Sequence, residues 1–256
     1  MNVNGSFARR LRLRRLHRHE SGLLVVPLDH AVGAGPLAHR GTLDSLLARL
    51  AEGGADAVVL HKGAVRRARP ERFREMSLIL HLNASTGLAP DPDAKYPVAT
   101  VAEALRLGAE AVSVHVNVGS RTEDRQIAHL AQTAEQCERW GMPLLAMMYV
   151  RGPGITDGRD PVRLAHALAV AAELGADLVK TALPDDPAAI ARVTAACPVP
   201  VLAAGGEAGS VERLEVALRA GAAGVAAGRT VFTADDPGAV TRRLAGLVHR
   251  TPVGVR

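Results

Sequence analysis

Residues 175–181 read Gly-Ala-Asp-Leu-Val-Lys-Thr, and this stretch decides the fold that the sequence predicts. It follows an Ala- and Leu-rich segment of helical period. Glycine is the residue type that best ends a helix in the left-handed conformation before a strand begins. The same Gly-Ala pair precedes three other apolar runs, at 54–56, 108–110 and 221–223. A unit of helix, glycine and strand that recurs along one chain predicts parallel strands joined by helices.

Eight such units fit the chain. The predicted strands are short apolar runs without alternation, which is typical of parallel strands buried on both faces: Leu23–Leu28, Ala57–Leu60, Leu78–Leu82, Ala111–Val116, Pro143–Met148, Asp177–Thr181, Val201–Ala204 and Gly224–Ala227. Helices are predicted near 42–52, 64–75, 98–108, 122–140, 161–174, 187–196, 211–220 and 237–249. The pattern indicates one α/β domain, a (β/α)8 TIM barrel. A doubly wound sheet is the alternative, although no Gly-x-Gly-x-x-Gly motif follows the first strand.

Composition and charge limit the classes of function. Hydrophobic residues make up 48% of the 256 residues, enough for a large core, whereas the 2% of aromatic residues offer few rings for stacking on nucleic-acid bases. Six arginines between Arg9 and Arg18 account for the net charge of +5, and the rest of the chain carries −1. We therefore expect residues 1–22 to form an arm whose short Arg-rich helix caps the barrel. Residues 23–256 are expected to form the catalytic barrel, and nucleic acid is not expected as a partner.

The cysteines and the apolar runs point to a compartment. Two cysteines, Cys137 and Cys197, are too few for a disulfide framework or a cysteine zinc site, and both are predicted to be buried free thiols. No apolar run reaches the roughly 18 residues of a membrane-spanning helix, and no apolar segment follows the arginines as in a secretory signal. The sequence predicts a cytoplasmic protein without a membrane partner.

Polar residues follow the first six predicted strands. They are, in strand order, Asp29 and His30, His61 and Lys62, His81 and Asn83, His115 and Asn117, Tyr149 and Arg151, and Lys180 and Thr181. TIM barrels carry their active sites at the C-terminal ends of the strands. These residues are therefore the predicted active site.

Strands 7 and 8 end in glycine-rich turns, Gly205-Gly206 and Gly228-Arg229. Glycines at these ends let backbone N–H groups approach an anion, and an arginine adds a charge-assisted contact. We expect these four residues to bind a phosphate group. Tight turns that merely close the barrel are the alternative interpretation.

Lysine is rare, with three among the 31 basic residues, so an amine nucleophile has three candidates. Lys180 ends strand 6, where its side chain would point into the barrel mouth. Loss of hydration there favours the neutral amine, which attacks carbonyl carbons to form a Schiff base. An anion contact is the alternative role for Lys180. Lys62 ends strand 2 and is the rival, as a nucleophile or an anion contact, whereas Lys95 lies in a polar Asp-Pro-Asp-Ala-Lys loop and is expected to be solvated.

Schiff-base chemistry also needs proton transfer, and two strand-end residues could supply it. Tyr149 ends strand 5, next to strand 6 in a closed barrel, and Asp29 ends strand 1. A core tyrosine and a helix-capping aspartate are the structural alternatives. His30, His81 and His115 could instead hold a metal ion, as in zinc-dependent carbon–carbon lyases, but the sequence does not show the partners that would orient them.

Several motifs, found in this order, resemble those of the archaeal-type class I aldolases. They are Val-Pro-Leu-Asp-His-Ala-Val-Gly-Ala-Gly-Pro at 26–36, Met-Met-Tyr-Val-Arg-Gly at 147–152, Leu-Val-Lys-Thr at 178–181, and the two glycine-rich turns. Within that family, His-Leu-Asn-Ala-Ser-Thr-Gly-Leu-Ala-Pro-Asp-Pro-Asp at 81–93 and Val-His-Val-Asn-Val-Gly-Ser at 114–120 are similar to one branch. That branch comprises 2-amino-3,7-dideoxy-D-threo-hept-6-ulosonate synthase and aminoheptulosonate-phosphate synthase. The resemblance runs from about residue 9 to the C-terminus.

The resemblance implies an enzyme without metal or cofactor that assembles as a homo-oligomer. It would join an enamine made from dihydroxyacetone phosphate or a deoxy-hexodiulose phosphate to L-aspartate semialdehyde, giving an amino-heptulosonate product. Lys180 would form the Schiff base, Tyr149 would donate the proton and Asp29 would accept it. The substrate-binding residues would be His30, Ala31, Val32, Gly33, His81, Asn83, Ser85, His115, Asn117, Val150 and Arg151.

Three departures from the family motifs leave the donor ketose open. Ala31 stands where glycine is usual, Val150 where proline is usual, and Glu207 follows the first glycine-rich turn where a more neutral or basic loop is common. Two other functions therefore compete with the leading one. The first is an aldolase of the fructose-bisphosphate or deoxyribose-phosphate type acting on sugar phosphates. The second is a phosphosugar- or nucleic-acid-binding barrel without activity, which the set of Asp29, Tyr149 and Lys180 disfavours.

Overall fold

The computed structural model describes residues 5–37, 41–205 and 211–250. Its centre is a closed barrel of parallel strands: β1 (Leu23–Pro27), β2 (Ala57–Leu60), β3 (Ser77–His81), β4 (Ala111–Val118), β5 (Leu144–Val150), β6 (Leu178–Thr181), β7 (Val201–Ala204) and β8 (Gly224–Ala226). Each strand pairs with the next one along the chain, and β8 pairs with β1. The TIM barrel predicted from the sequence is confirmed.

Helices surround the barrel and alternate with its strands. In the described residues they are α1 (Phe7–Leu16), α2 (His30–Ala34), α3 (Leu43–Glu52), α4 (Lys62–Val65), α5 (Val101–Arg106), α6 (Glu123–Trp140), α7 (Pro161–Glu173), α8 (Pro187–Ala196), α9 (Val211–Arg219), α10 (Arg229–Phe232) and α11 (Pro237–Val248). None of these helices has the length and apolar character needed to cross a membrane.

The glycine of each repeated Gly-Ala pair ends a helix in the left-handed conformation, as the sequence predicts. The glycines at 54, 108, 175 and 221 have φ angles of +85°, +76°, +94° and +108°. A side chain is strained in this left-handed region, so glycine lets the chain turn out of each helix, and the next strand begins three residues after the glycine.

The helix predicted near 64–75 is wrong. The chain instead forms the single turn α4 and a short 3₁₀ helix at Pro70–Phe73. Proline has no N–H to donate and pushes the preceding residue out of the helical region. Arg69 accordingly lies in the extended region, with φ −81° and ψ 135°.

The apolar residues form two layers. The larger one fills the space between the strands and the outer helices, and it includes the buried free thiols of Cys137 and Cys197, which were predicted as such. Burial raises the pKa of the Cys137 thiol to about 12. The smaller layer lies inside the barrel, where Leu13 and Leu16 of α1 join inward-facing strand residues. The N-terminal Arg-rich helix thus closes the barrel at the N-terminal ends of the strands, which we call the lower end.

The arginines of this N-terminal segment pair with acidic residues. Arg9 is buried, and its Nη2 lies 3.1 Å from Asp177 Oδ2 while its Nη1 contacts Glu138. Arg15 pairs with Glu110 at 2.9 Å and Arg18 with Glu75 at 3.0 Å. The concentrated positive charge is therefore partly neutralised against the barrel itself.

Candidate active site

Alternation along the strands directs the polar side chains into the barrel mouth. Residues two apart on a strand share a face. Ile79, Leu145 and Leu178 belong to the inner apolar layer. Two or four residues further on, the same inward-facing series ends in His81, Tyr149 and Lys180, respectively.

These side chains meet in a cavity of about 710 Å³ at the C-terminal ends of the strands. Most of the predicted site residues line it: Asp29, His30, Val32, Gly33, His81, Asn83, Ser85, His115, Tyr149, Val150, Arg151, Lys180, Gly205, Gly228 and Arg229. Ala31 and Asn117 do not line it. Gly206 and Glu207 lie outside the described residues.

Lys180 is the lysine at the base of this cavity. Its residue is 7% exposed, and its Nζ lies 3.9 Å from the Sδ of Met147, the residue paired with it on β5. Within the described ranges, no carboxylate lies within 4 Å of this amine. A buried amine beside a thioether can attack a carbonyl carbon without first breaking an ion pair.

Asp29 is a carboxylate of the cavity, which Asp157 also lines. Its Oδ2 lies 3.6 Å from His81 Nε2 and its Oδ1 lies 3.7 Å from His30 Nδ1. Burial alone would raise the pKa of this carboxyl, but the positive charge that His81, Lys180, His30 and His61 can carry outweighs burial and lowers the pKa to about 2. Asp29 is therefore ionised at neutral pH and can accept a proton.

Two neutral histidines flank the aspartate and the tyrosine. Burial lowers the pKa of His81 to about 4 and that of His115 well below its usual value. His81 Nδ1 lies 2.8 Å from Ser113 Oγ, and His115 Nε2 donates to Asn117 Oδ1 at 2.8 Å. Each ring is fixed by a polar partner, so both can orient substrate without adding charge.

Tyr149 stands between His115 and Arg151. Its ring centroid is 4.8 Å from that of His115, and the Arg151 guanidinium carbon lies 5.3 Å from the centre of its ring. Because β5 and β6 are neighbours, the phenol lies on the strand next to Lys180. Tyr149 also lines the cavity, so its phenol is a candidate for proton exchange there.

The ends of β7 and β8 approach other chain segments closely. A Cβ at Gly228 would lie 2.6 Å from the carbonyl oxygen of Pro27 and 2.8 Å from His30 Cε1, and a Cβ at Gly205 would lie 3.1 Å from Ala227 Cα. Glycine is therefore required by space at Gly228. Arg229 begins α10 directly after this turn and lines the cavity.

Lys95 is among the cavity residues that the sequence did not indicate, together with Asp157 and Arg159, and it is half-buried rather than fully solvated as expected. The segment after β3 returns over the mouth through a two-residue antiparallel ladder of 83–84 with 96–97. Lys95 is thereby placed in the cavity wall, where its Nζ donates to Ser85 Oγ and to the carbonyl oxygen of Pro92.

Lys62, the rival nucleophile, lies outside the cavity. It starts α4 on the outer side of β2, and its Nζ pairs with Glu103 Oε1 at 3.3 Å. Its side chain is 46% exposed. The geometry therefore favours Lys180 over Lys62 as the reactive amine.

The three histidines considered as metal ligands do not form a compact set. His81 and His115 are committed to Ser113 and Asn117 through one ring nitrogen each. In the part of the chain that the structure describes, the compact group of potential ligands is His19, Asp56 and His249, at the opposite end of the barrel. The mouth thus offers an amine, a carboxylate and a phenol rather than a metal-binding triad.

Sequence comparisons agree with this chemistry. A profile of the DeoC/LacD family aldolases matches residues 23–234. The 2-amino-4,5-dihydroxy-6-oxo-7-(phosphonooxy)heptanoate synthase of Streptomyces griseus is 54% identical over 98% of this chain and 94% of its own length. The 2-amino-3,7-dideoxy-D-threo-hept-6-ulosonate synthase of Halobacterium salinarum is 43% identical over 89% of this chain and 86% of its own length.

Structural comparisons give the same picture. A Schiff-base-forming fructose-1,6-bisphosphate aldolase, studied through its reaction intermediates, superposes with a TM-score of 0.85, with 28% identity over 94% of this chain and 99% of the other. An archaeal fructose-1,6-bisphosphate aldolase whose catalytic lysine is covalently bound to the carbinolamine intermediate has a TM-score of 0.83 and 29% identity, with the same coverage. The chain belongs to the DeoC/LacD family of aldolases, as a metal-independent class I enzyme that works through a lysine Schiff base.

Proposed function

We propose that the enzyme joins dihydroxyacetone phosphate to L-aspartate semialdehyde. The product named for the Streptomyces griseus relative carries hydroxyls on C4 and C5, a ketone at C6 and a phosphate at C7. Reversing an aldol addition between C4 and C5 of that product leaves dihydroxyacetone phosphate and aspartate semialdehyde. Identity of 54% over nearly the whole chain is the single observation that carries this choice of substrates.

Lys180 is the proposed nucleophile, and each bond change can be assigned. Its amine adds to the donor ketone, and loss of water gives an iminium ion. Removal of a proton from the hydroxymethyl carbon gives an enamine, whose carbon attacks the aldehyde and turns the aldehyde oxygen into a hydroxyl. Water then hydrolyses the new iminium ion and frees the amine. The burial of Lys180 and its separation from carboxylates support this role.

Asp29 and Tyr149 are the proposed proton-transfer groups. Asp29 is ionised at neutral pH and faces the cavity, so it can accept the proton released during enamine formation. Tyr149 is on the strand beside Lys180 and can give a proton to the carbinolamine hydroxyl or to the aldehyde oxygen. His81 and His115 remain neutral and would contact the substrate hydroxyls.

The donor phosphate is proposed to bind at the ends of β7 and β8. Gly205 and Gly228 bring the backbone close to the cavity, and Arg229 adds a guanidinium. We include Gly206 in this site on the sequence pattern alone.

A fructose-bisphosphate type of aldolase remains the second candidate, favoured by the two superposed aldolase structures. The two candidates differ in the acceptor aldehyde.

Borohydride trapping tests the proposal. Reduction in the presence of dihydroxyacetone phosphate is expected to add the mass of the reduced donor adduct to the peptide that contains Lys180. Lys180→Met is expected to lose the adduct and to lower kcat/KM with aspartate semialdehyde on the order of 10⁴-fold or more, because the nucleophile is gone. Lys62→Met is the matched control, since it removes a strand-end lysine outside the cavity.

An adduct on another residue, or full activity of Lys180→Met, would refute the assignment of Lys180. Turnover of glyceraldehyde 3-phosphate but not of aspartate semialdehyde would favour the second candidate function.

A further inference from the structure

The loop between β3 and β4 is anchored over the barrel mouth. The backbone carbonyl of Asp93 accepts hydrogen bonds from Asn117 Nδ2 at 2.8 Å and from Gln126 Nε2 at 2.9 Å. Gln126 is fully buried in α6 and also donates to Ser120. Since these donors come from β4 and α6, the loop has a fixed position relative to the barrel.

Lys95 is held at the edge of the cavity by this loop. Two of the three N–H groups of its ammonium are directed to Ser85 Oγ and the Pro92 carbonyl, and Ser85 Oγ–H in turn donates to the same carbonyl at 2.9 Å. In the described residues, no carboxylate lies within 4 Å of Lys95 Nζ. One N–H of the ammonium is left for a ligand.

Arg151 adds a second cation on the same side of the mouth. Its Nε lies 4.0 Å from Asp93 Oδ1, and both Arg151 and Lys95 line the cavity. Burial and then the charge of Arg151 lower the pKa of Lys95, against the opposing charges of Asp93, Asp91 and Asp29. An anion between like charges relieves their repulsion.

These two cations and the proposed phosphate site lie on different sides of Lys180. Lys95 and Arg151 follow β3 and β5, whereas Gly205, Gly228 and Arg229 follow β7 and β8. Lys180 is on β6, between the two groups in the barrel order. Close backbone approach at the glycines suits a phosphate, and a side-chain ammonium with a guanidinium suits a carboxylate.

We propose that Lys95, together with Arg151, binds the carboxylate of the acceptor aldehyde and so selects an anionic aldehyde over a neutral one. This inference rests on the proposed function, because it takes aspartate semialdehyde as the acceptor and the β7–β8 end as the phosphate site. It assigns acceptor selection to the loop at 83–97 and leaves donor activation to Lys180.

The test separates the two halves of the reaction in Lys95→Met. The donor half is measured without acceptor, as exchange of the hydroxymethyl proton of dihydroxyacetone phosphate into D₂O. The acceptor half is measured as kcat/KM for aspartate semialdehyde, succinate semialdehyde (no amine) and 3-aminopropanal (no carboxylate). We expect unchanged donor exchange, a loss of about tenfold to a hundredfold for both carboxylated aldehydes, and a change below about twofold for 3-aminopropanal. Lys95→Arg should restore part of the loss, and Lys62→Met should behave as wild type.

Failure of this inference and failure of the proposed function give different results. Equal losses for all three aldehydes, or reduced donor exchange in Lys95→Met, would show a structural or donor-binding role and overturn the inference. Unchanged use of the carboxylated aldehydes by Lys95→Met would overturn it as well, with the proposed function intact. Absence of donor exchange in the wild-type enzyme would instead refute the proposed function. Wild-type exchange without turnover of either carboxylated aldehyde would overturn both the inference and the assigned acceptor.

Discussion

Two aspartate–histidine clusters occupy opposite ends of the barrel, and they behave differently. At the lower end, Asp56 is 2% exposed and its Oδ2 accepts the Leu24 N–H at 2.7 Å and contacts His249 Nε2 at 3.1 Å. His19 Nε2 lies 3.6 Å from Asp56 Oδ1, and the His19 ring lies against that of His249, with 4.0 Å between the ring centroids. This cluster joins the segment before β1, the start of β2 and the end of α11.

At the upper end, Asp29 has the same type of neighbours in a different arrangement. His30 and His81 lie beyond hydrogen-bond distance, at 3.7 and 3.6 Å, and the carboxylate faces the cavity that contains Lys180. A carboxylate whose oxygens are filled by the chain stabilises the fold, whereas one with unfilled oxygens next to a reactive amine can move protons. Residue type alone does not distinguish the two roles. The two roles are distinguished by the Leu24 N–H that binds Asp56 at the lower end and by the cavity that Asp29 faces at the upper end.

Asp29→Asn should give the largest effect of the comparison. An amide cannot accept a proton, so we expect turnover to fall by about 10²- to 10⁴-fold. Exchange of the donor proton should fall with it, while the borohydride adduct on Lys180 still forms. Mass spectrometry and deuterium exchange on the same preparation check this result. Wild-type exchange by this variant would exclude Asp29 as the base.

Asp56→Asn is the matched change at the lower end, and it should affect stability instead. The amide oxygen can still accept from Leu24, but His249 and His19 lose a charged partner. We expect a loss of about 1–3 kcal/mol in the free energy of unfolding, measured with urea. The kcat/KM should stay within about twofold of wild type. A large loss of turnover with unchanged stability would contradict the division between the two ends.

The pH dependence of stability tests the upper cluster through His81. The pKa of His81 is about 4 in the folded chain and about 6.5 when unfolded, so below pH 6.5 the unfolded chain binds a proton that folded His81 does not. Stability from this group is therefore lost as pH falls from 6.5 towards 4. Between pH 7.5 and 5.0 the loss should be about 2 kcal/mol, and His81→Gln should lack this part of it. Equal pH dependence in both proteins, measured by urea unfolding, would contradict it.

The barrel was predictable because its signals are local. Each strand is a short apolar run and several helices end at a glycine such as Gly175, so neighbouring residues carry the information. The strand-end position of Lys180 follows from the same pattern. The failures have local causes as well, since Pro70 breaks the helix predicted near 64–75 and leaves Arg69 extended.

The position of Lys95 could not be predicted in this way. It depends on hydrogen bonds from Gln126 and Asn117 to the carbonyl of Asp93, which lie 33 and 24 residues apart from it in the chain. A loop of Asp, Pro and Lys has the composition of a solvated turn. No local sequence pattern predicts that the buried Gln126 will hydrogen-bond to this loop. Contacts between distant segments therefore decide which charged loop residues enter the site.

Asn83 shows how such a loop can leave the barrel without opening it. Its side-chain amide donates to the carbonyl oxygen of His115 at 2.8 Å and accepts the His115 N–H at 2.9 Å. In a parallel ladder the N–H and C=O of His115 would bond to two different peptide groups of the neighbouring strand. The single Asn83 side chain replaces both after β3 has ended. The backbone at 83–84 thereby leaves the barrel sheet and pairs with 96–97 instead. The segment from 85 to 95 is then a module that can be exchanged for the corresponding loop of another aldolase, with Asn83 kept as the fixed boundary of the graft.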